Sequence, residues 1–247
     1  MSSDIIYQDT DVTTWSPQGK LHQVEYAMDS VKQGSCSLGL RSEDFVVLAA
    51  LKRSSGDLAS YQKKLFKIDD HLGIGIAGLI ADARSLATYM RTECLNHKFQ
   101  YNSPVVSGRL ASDVADKHQA RTQASWKRPY GVGLLVAGYD RDGPHLYQTC
   151  PSGNLYEYHA MAIGARAQAA KTYLEKHLAS FAQADLETLI MHALKALQGP
   201  ANDKEVDIQN SAIAILGKNQ SFRIIDGDAL KPYLDKLAAS QGAMETD

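Results

Sequence analysis

Side chains able to do chemistry are spread thinly along this chain. The densest pattern is Gly73-Ile74-Gly75-Ile76-Ala77-Gly78, a literal G-x-G-x-x-G. Glycines at that spacing bind a dinucleotide when they form the turn after a buried strand, so that a helix N-terminus can meet the pyrophosphate. Here Gly and Ile alternate within the strand itself, and only Asp70-His71 separate it from the strand before. The pattern therefore favours small residues packed against a neighbouring backbone or sheet over a nucleotide site. There is no G-x-S-x-G elbow, P-loop or H-E-x-x-H run, and the eight histidines have no ligand spacing, so neither metal nor cofactor is expected. Ser152, in Cys150-Pro151-Ser152-Gly153, reads as a turn residue rather than a nucleophile. Cys94 lies on an apolar helix face and reads as a core thiol. Lys63-Lys64 before a strand reads as a solvated edge charge, and Arg128-Pro129-Tyr130 as a strand entry marked by proline.

The elements that would position these groups follow from periodicity. The first ~15 residues are polar and turn-rich, with nothing expected to bury a face. Ser16 as N-cap and Pro17 at the first helical position predict a helix that Gly34 stops. Its stripe of Leu21, Val24, Met28 and Val31 needs a surface, either this domain or a neighbouring chain. Strands are predicted over Ser37–Leu40, Phe45–Leu51, Leu65–Asp69 and Leu72–Gly78, the last two as a tight hairpin. A long helix then carries Leu79, Ala83, Leu86, Met90 and Cys94 on one face. Asn102-Ser103-Pro104 breaks it, and a second helix covers Val105 to about Gln123. Three strands follow, Tyr130–Tyr139, His145–Thr149 and Leu155–Ile163. Two helices come next, the second with Leu186, Leu189, Ile190, Ala193, Leu194 and Leu197 inward and an end at Gly199-Pro200. A last strand pair, Ala212–Leu216 and Phe222–Ile225, leads to a short helix and a polar tail.

Runs of strands alternating with helix pairs exclude a strict βαβ repeat and favour antiparallel sheets covered by helices. The expected fold class is α+β, a four-layer αββα sandwich with an extra N-terminal helix. Residues 16–240 are read as one domain, 1–15 as a separate N-terminal segment and 241–247 as a tail. The length of 247 residues is enough for a sizeable core. With 26 basic against 28 acidic residues the formal charge is −2, which gives no reason to expect nucleic acid or an anionic membrane as partner. No apolar run reaches the ~18–20 residues that span a bilayer, and the first residues lack the pattern of a signal peptide. Three widely spaced cysteines argue against both a disulfide framework and a zinc ribbon. Together these features suggest a reduced, soluble, intracellular protein.

The ordered set of motifs is more specific than any one of them. Trp15-Ser16-Pro17-Gln18-Gly19-Lys20-Leu21-His22-Gln23-Val24-Glu25-Tyr26-Ala27 closely resembles the N-terminal signature of α-type subunits of the proteasome core particle (20S). Ala81-Asp82-Ala83-Arg84, Arg128-Pro129-Tyr130-Gly131-Val132-Gly133 and Ala162-Ile163-Gly164 fall where that family has them. The similarity runs from about Asp9 to Leu237. Trp15, Gln148-Thr149-Cys150-Pro151-Ser152 and Ile163-Gly164-Ala165-Arg166 look most like its eukaryotic α6-type branch.

The resemblance implies the same αββα fold and a place among other α subunits in a heptameric ring, stacked on a ring of β subunits that carry proteolysis. It implies residence in cytoplasm and nucleus and a role in ubiquitin-dependent protein degradation. Active β subunits use a threonine freed by cleavage after glycine, since the free α-amino group must accept the hydroxyl proton. Here Gly34-Ser35 stands at that junction behind a helix, Leu51 occupies the position of the catalytic aspartate, and Lys64 matches the lysine, so no catalytic residue is expected. The alternative reading is an active N-terminal nucleophile hydrolase starting at Ser35. In the family the segment before the first helix helps close an axial gate. Asp9, Pro17 and Tyr26 match residues that hold it, whereas Gln8 stands where the family has tyrosine and loses the stackable ring. Lys64, Gly78 and Leu79 match a pocket that receives the C-terminal tails of activators, including the ATPases of the regulatory particle, with the lysine on the terminal carboxylate.

Overall fold

A computed structural model describes residues 10–54, 58–60, 62–201 and 205–242. Its first helix, α1 (His22–Gln33), begins later than Ser16 and Pro17 suggest. The Ser16 amide instead donates to the Lys20 carbonyl and the Lys20 amide to Ser16 Oγ, while Gly19 takes a positive φ of 76°. These contacts close a reverse turn that holds Pro17, and the extended Leu21 then accepts from the Val24 and Glu25 amides to start the helix. Upstream, Val12 is buried, so the residues before the helix do reach the core, contrary to the expectation from their polarity. The end of α1 is as expected: the Gly34 amide donates to Val31.

Four strands follow at the predicted places: β1 (Ser37–Arg41), β2 (Phe45–Leu51), β3 (Leu65–Asp69) and β4 (Leu72–Gly78). Helix α2 (Ile80–Tyr101) buries Ala83, Leu86, Met90 and Cys94 and stops where Asn102 turns left-handed. Leu79 precedes the helix and is half exposed, so it is not part of the buried face. Helix α3 (Ser107–Thr122) has no side-chain cap of its own. Asp140 reaches across to accept from the Ser107 amide and hydroxyl at 3.0 and 2.6 Å, serving as a remote cap.

The second strand run holds four strands rather than three: β5 (Val132–Asp140), β6 (Gly143–Thr149), β7 (Leu155–Glu157) and β8 (Ala160–Ile163). The stretch read as one strand from Leu155 to Ile163 changes sheets in the middle. β7 pairs with β6 and β8 with β1, both antiparallel. Helix α4 (Ala167–Lys176), the single turn α5 (Leu178–Phe181) and α6 (Leu186–Ala201) come next. Helix α6 runs through Gly199-Pro200 instead of stopping there. A proline in the last turn removes only one helical hydrogen bond, and a Cβ on Gly199 would press to 3.0 Å from Ala169 of α4. That glycine serves helix–helix approach. The strands β9 (Ser211–Gly217) and β10 (Gln220–Asp226) and helix α7 (Lys231–Gly242) complete the order.

The strands form two antiparallel five-stranded sheets, β10-β9-β2-β1-β8 and β3-β4-β5-β6-β7. Between them lies a layer of Val46, Leu48, Leu135, Leu146, Leu216 and Phe222. Helices α4, α6 and α7 cover the first sheet through Leu174, Leu189, Leu194, Leu197 and Leu237. Helices α2 and α3 cover the second through Leu86, Met90, Leu110 and Val114. This is the αββα sandwich expected from element order. Helix α1 lies over β4 and β5, with Val24 and Ala27 buried but Tyr26 and Met28 exposed. Its own domain therefore takes only part of the stripe.

Within β4 the glycines do what alternation suggests. A Cβ on Gly73 would overlap the Phe222 ring from β10 in the facing sheet. Overpacking of this kind costs about 1–3 kcal/mol. Gly73→Ala should lower the midpoint of urea unfolding accordingly, and adding Phe222→Leu should recover part of the loss.

Candidate functional site

The elements meet most closely where α1 passes into β1. A Cβ on Gly34 would overlap the Gly78 amide nitrogen, and one on Gly164 would lie 2.7 Å from the Ser35 carbonyl. Gly78 holds φ at 113°, a value that excludes most side chains, and a Cβ there would strike the Gly131 carbonyl. The gap is closed by hydrogen bonds. The Ala165 amide donates to Gly34 O at 2.7 Å, the Leu79 amide to Gly131 O at 2.8 Å, and Ser30 Oγ of α1 to the same Gly131 carbonyl at 3.1 Å.

Lys64 sits beneath this junction. It is 2% exposed, and its Nζ donates to Ser35 O at 3.1 Å. The expectation of a solvated edge charge holds for Lys63, which is exposed, and fails for Lys64. No carboxylate among the described residues lies within ion-pair distance of Lys64. Burial pushes its ammonium down to about 8, with nearby Cys36 opposing and Arg53 adding to the shift. The Cys36 thiol, also buried, is pushed up to about 12 by desolvation. A thiol so raised is not a nucleophile at neutral pH. Cys94, buried in the α2 face, is likewise pushed up to about 12, as befits a core thiol.

A second polar knot fixes the entry to β5. Asp82 of α2 receives both guanidinium nitrogens of Arg128 at 2.7 and 2.8 Å and the Gly131 amide at 2.9 Å. Burial opposes its ionisation, but these bonds outweigh burial and hold the carboxyl below the usual range. Arg121 of α3 lies over the Tyr130 ring at 3.9 Å, and His118 packs edge-on to the same ring. His118 is fully buried with neither ring nitrogen hydrogen-bonded among the described residues. The motif residues Arg128-Pro129-Tyr130 therefore do more than mark a strand entry, because they anchor β5 to α2 and α3.

The residues expected to act together divide as follows. Lys64, Gly78 and Leu79 converge at the junction: the Ile76 amide bonds the Lys64 carbonyl, and Leu79 packs beside Gly131 with half its surface exposed. Lys64 alone of the three is fully enclosed. Pro17 lies in the reverse turn, and Tyr26 stacks on His22 at 6.3 Å between ring centroids while remaining 49% exposed. Gln8 and Asp9 lie outside the described residues. Leu51, which the resemblance sets at the position of the family's catalytic aspartate, ends β2. Gly164 and Ala165 close the junction from β8, a role that only the position of Gly164 in a quoted motif hinted at. Ser152 lies in a turn closed by the Gly153 amide on the Cys150 carbonyl, as expected. Among the described residues no three metal-ligating side chains converge, and no helix is long and apolar enough to cross a membrane.

Residues 31–216 match the family model described as proteasome subunit, and residues 9–29 match the model for the N-terminal signature of A-type proteasome subunits. The chain belongs to the proteasome α-type subunit family. Proteasome subunit alpha type-1 of Dictyostelium discoideum is 54% identical over 93% of this chain and 93% of its own length. The protein of the same name from Trypanosoma brucei rhodesiense is 50% identical over 92% and 86%. The probable proteasome subunit alpha type-6 of Schizosaccharomyces pombe is 49% identical over 93% and 85%. The signature model spans the reverse turn and most of α1, the part of the family pattern that lies ahead of the sandwich.

His118 generates a pH test of the second knot. Its imidazole is pushed down to about 4, first by burial and then by Arg121, with Asp82 opposing. The unfolded chain, with an ordinary histidine value near 6.5, then binds more protons than the folded one between those limits. The stability contribution is complete above about 6.5 and is lost as pH falls toward 4, by roughly 3 kcal/mol in total. Urea unfolding from pH 7 to 4 should show that slope, and His118→Phe should flatten it.

Proposed function

We propose that this chain is a non-catalytic subunit of the α ring of the 20S proteasome core, serving ring assembly, the axial gate and activator docking in ubiquitin-dependent protein degradation. Its partners in this reading are the other α subunits of a heptameric ring, the β-ring subunits, and the C-terminal tails of regulatory-particle ATPases or other activators. The reading includes residence in cytoplasm and nucleus.

The non-catalytic reading is supported by the geometry of the junction. Gly34 and Ser35 are pressed against Gly78 and Gly164 and hydrogen-bonded through both carbonyls. An N-terminal nucleophile needs a free amino group at that point, and freeing it would detach α1 and break the junction. The lysine that would assist is bound to Ser35 O, and the position of the acid is Leu51. The gate reading is supported by Pro17 in its reverse turn and by Tyr26, exposed on α1. The docking reading is supported by Leu79, exposed beside the junction.

Native mass spectrometry of the purified complex, with intact-mass analysis of the chain, tests the main claim. A particle of stacked rings in which this chain retains the residues ahead of Ser35 is the expected result. A chain beginning at Ser35 with hydrolytic turnover of its own would establish the N-terminal nucleophile hydrolase instead. Lys64→Ala is expected to weaken activator-stimulated peptide entry while the particle still assembles.

A further inference from the structure

Away from the two knots, a set of titratable and aromatic side chains gathers where α4, α5 and α6 meet. Between ring centroids, His192 of α6 lies 6.0 Å from Tyr173 of α4, 5.4 Å from His177 and 5.2 Å from Phe181 of α5. The Tyr173 and His177 rings are 4.4 Å apart. His177 is the single residue between α4 and α5, and its amide closes the end of α4. Hydrogen bonds fix the state of His192. Ser180 Oγ donates to the His177 carbonyl at 2.7 Å, so toward His192 Nε2, 3.5 Å away, it can only accept. Nε2 therefore carries the ring hydrogen, and in the neutral ring Nδ1 accepts from the Tyr173 hydroxyl at 3.0 Å. This chain of groups ties α5, a single turn with Leu178 and Ser180 exposed, to the helices on either side.

We propose that His177 and His192 form an acid-sensitive latch: neutral rings hold α5 against α6, and proton uptake releases the segment from His177 to Asp185. A proton on Nδ1 of His192 turns that nitrogen from acceptor to donor. The Tyr173 hydroxyl must then turn its hydrogen away, and among the described residues it has no second acceptor. The new charge also meets no free carboxylate. It faces Tyr173 from α4, His177 from the bend, Ser180 and Phe181 from α5, and Lys195 from its own helix. Asp185 and Glu187 line the same surface hollow, but Asp185 accepts from the Thr188 amide and Glu187 pairs with Lys236. Burial, then His177 and Lys195, hold the His192 imidazole below its ordinary value. Once the segment lifts, the ring meets water and takes its proton at that ordinary value, so acid favours the open form. The latch is complete above about pH 6.5 and weakens as pH falls below it. Phe181, 1% exposed, and the Glu43 amide on the Ala182 carbonyl at 2.9 Å are the inner contacts that resist release.

Hydrogen exchange with mass spectrometry on the assembled particle, reading only the fragments of this chain and corrected for intrinsic chemical exchange, tests the latch. Between about pH 7.5 and about pH 5.5, fragments covering residues 177–185 should lose protection by about threefold or more. Fragments from α6 and from α3, the helix that carries His118, should keep theirs. His192→Gln keeps a hydrogen-bonding side chain that does not titrate and should flatten the response. His177→Gln, which removes the like charge, should reduce it, and Tyr173→Phe, which removes the hydroxyl on Nδ1, should do so too. The pH slope is the readout, since a merely structural role would change protection equally at every pH. No pH response at 177–185 in the unaltered particle, a response shared equally by α3 and α6, or one that survives His192→Gln would each overturn the latch.

Discussion

The structure turns on a close approach of main chain at four glycines. Gly34, Gly78, Gly131 and Gly164 flank the end of α1, the end of β4, the start of β5 and the end of β8; a Cβ on Gly34, Gly78 or Gly164 would strike backbone, and one on Gly131 would strike the Leu79 and Ser30 side chains. Main-chain groups there meet one another directly, so hydrogen bonds close the gap rather than hydrophobic burial. The attachment of the extra helix depends on that meeting together with the burial of Val24 and Ala27 over β4 and β5. The same meeting buries Lys64, exposes Leu79 and leaves Ser35 as an interior residue.

Helix α1 leads through Gly34 into β1, so this contact joins the extra helix to the sandwich. Lys64 is an enclosed cation held by a backbone acceptor, the Ser35 carbonyl. A nearby knot, Asp82 with Arg128 and Gly131, carries ordinary structural electrostatics: the charges are matched and the last free amide at the strand entry is satisfied. The two sites lie on either side of Gly131, whose carbonyl serves the first and whose amide serves the second.

Much of the fold was legible because it depends on local period. Leu65–Asp69 and Leu72–Gly78, separated by two residues, could only be a hairpin, and the helical spacing from Leu189 to Leu197 could only face a core. Errors arose where a local signal served a tertiary purpose. Ser16-Pro17 looks like a helix start but builds a reverse turn. Gly199-Pro200 looks like a stop but lets α6 press on α4. Leu155–Ile163 looks like one strand but crosses between sheets, because no periodicity records which partner each half will find.

The candidate site divides along the same line. The ordered motifs placed the chain in its family, and it was that resemblance that singled out Leu51, Lys64, Gly78 and Leu79; side-chain type alone read Lys64 as an edge charge. Only the folded chain decided that Lys64 is enclosed while Lys63 is exposed, that its acceptor is the carbonyl of a residue 29 positions away, and that four distant glycines share one contact. Burial and charge pairing are properties of what surrounds a group. That environment is assembled from strands whose neighbours in space are far apart along the chain.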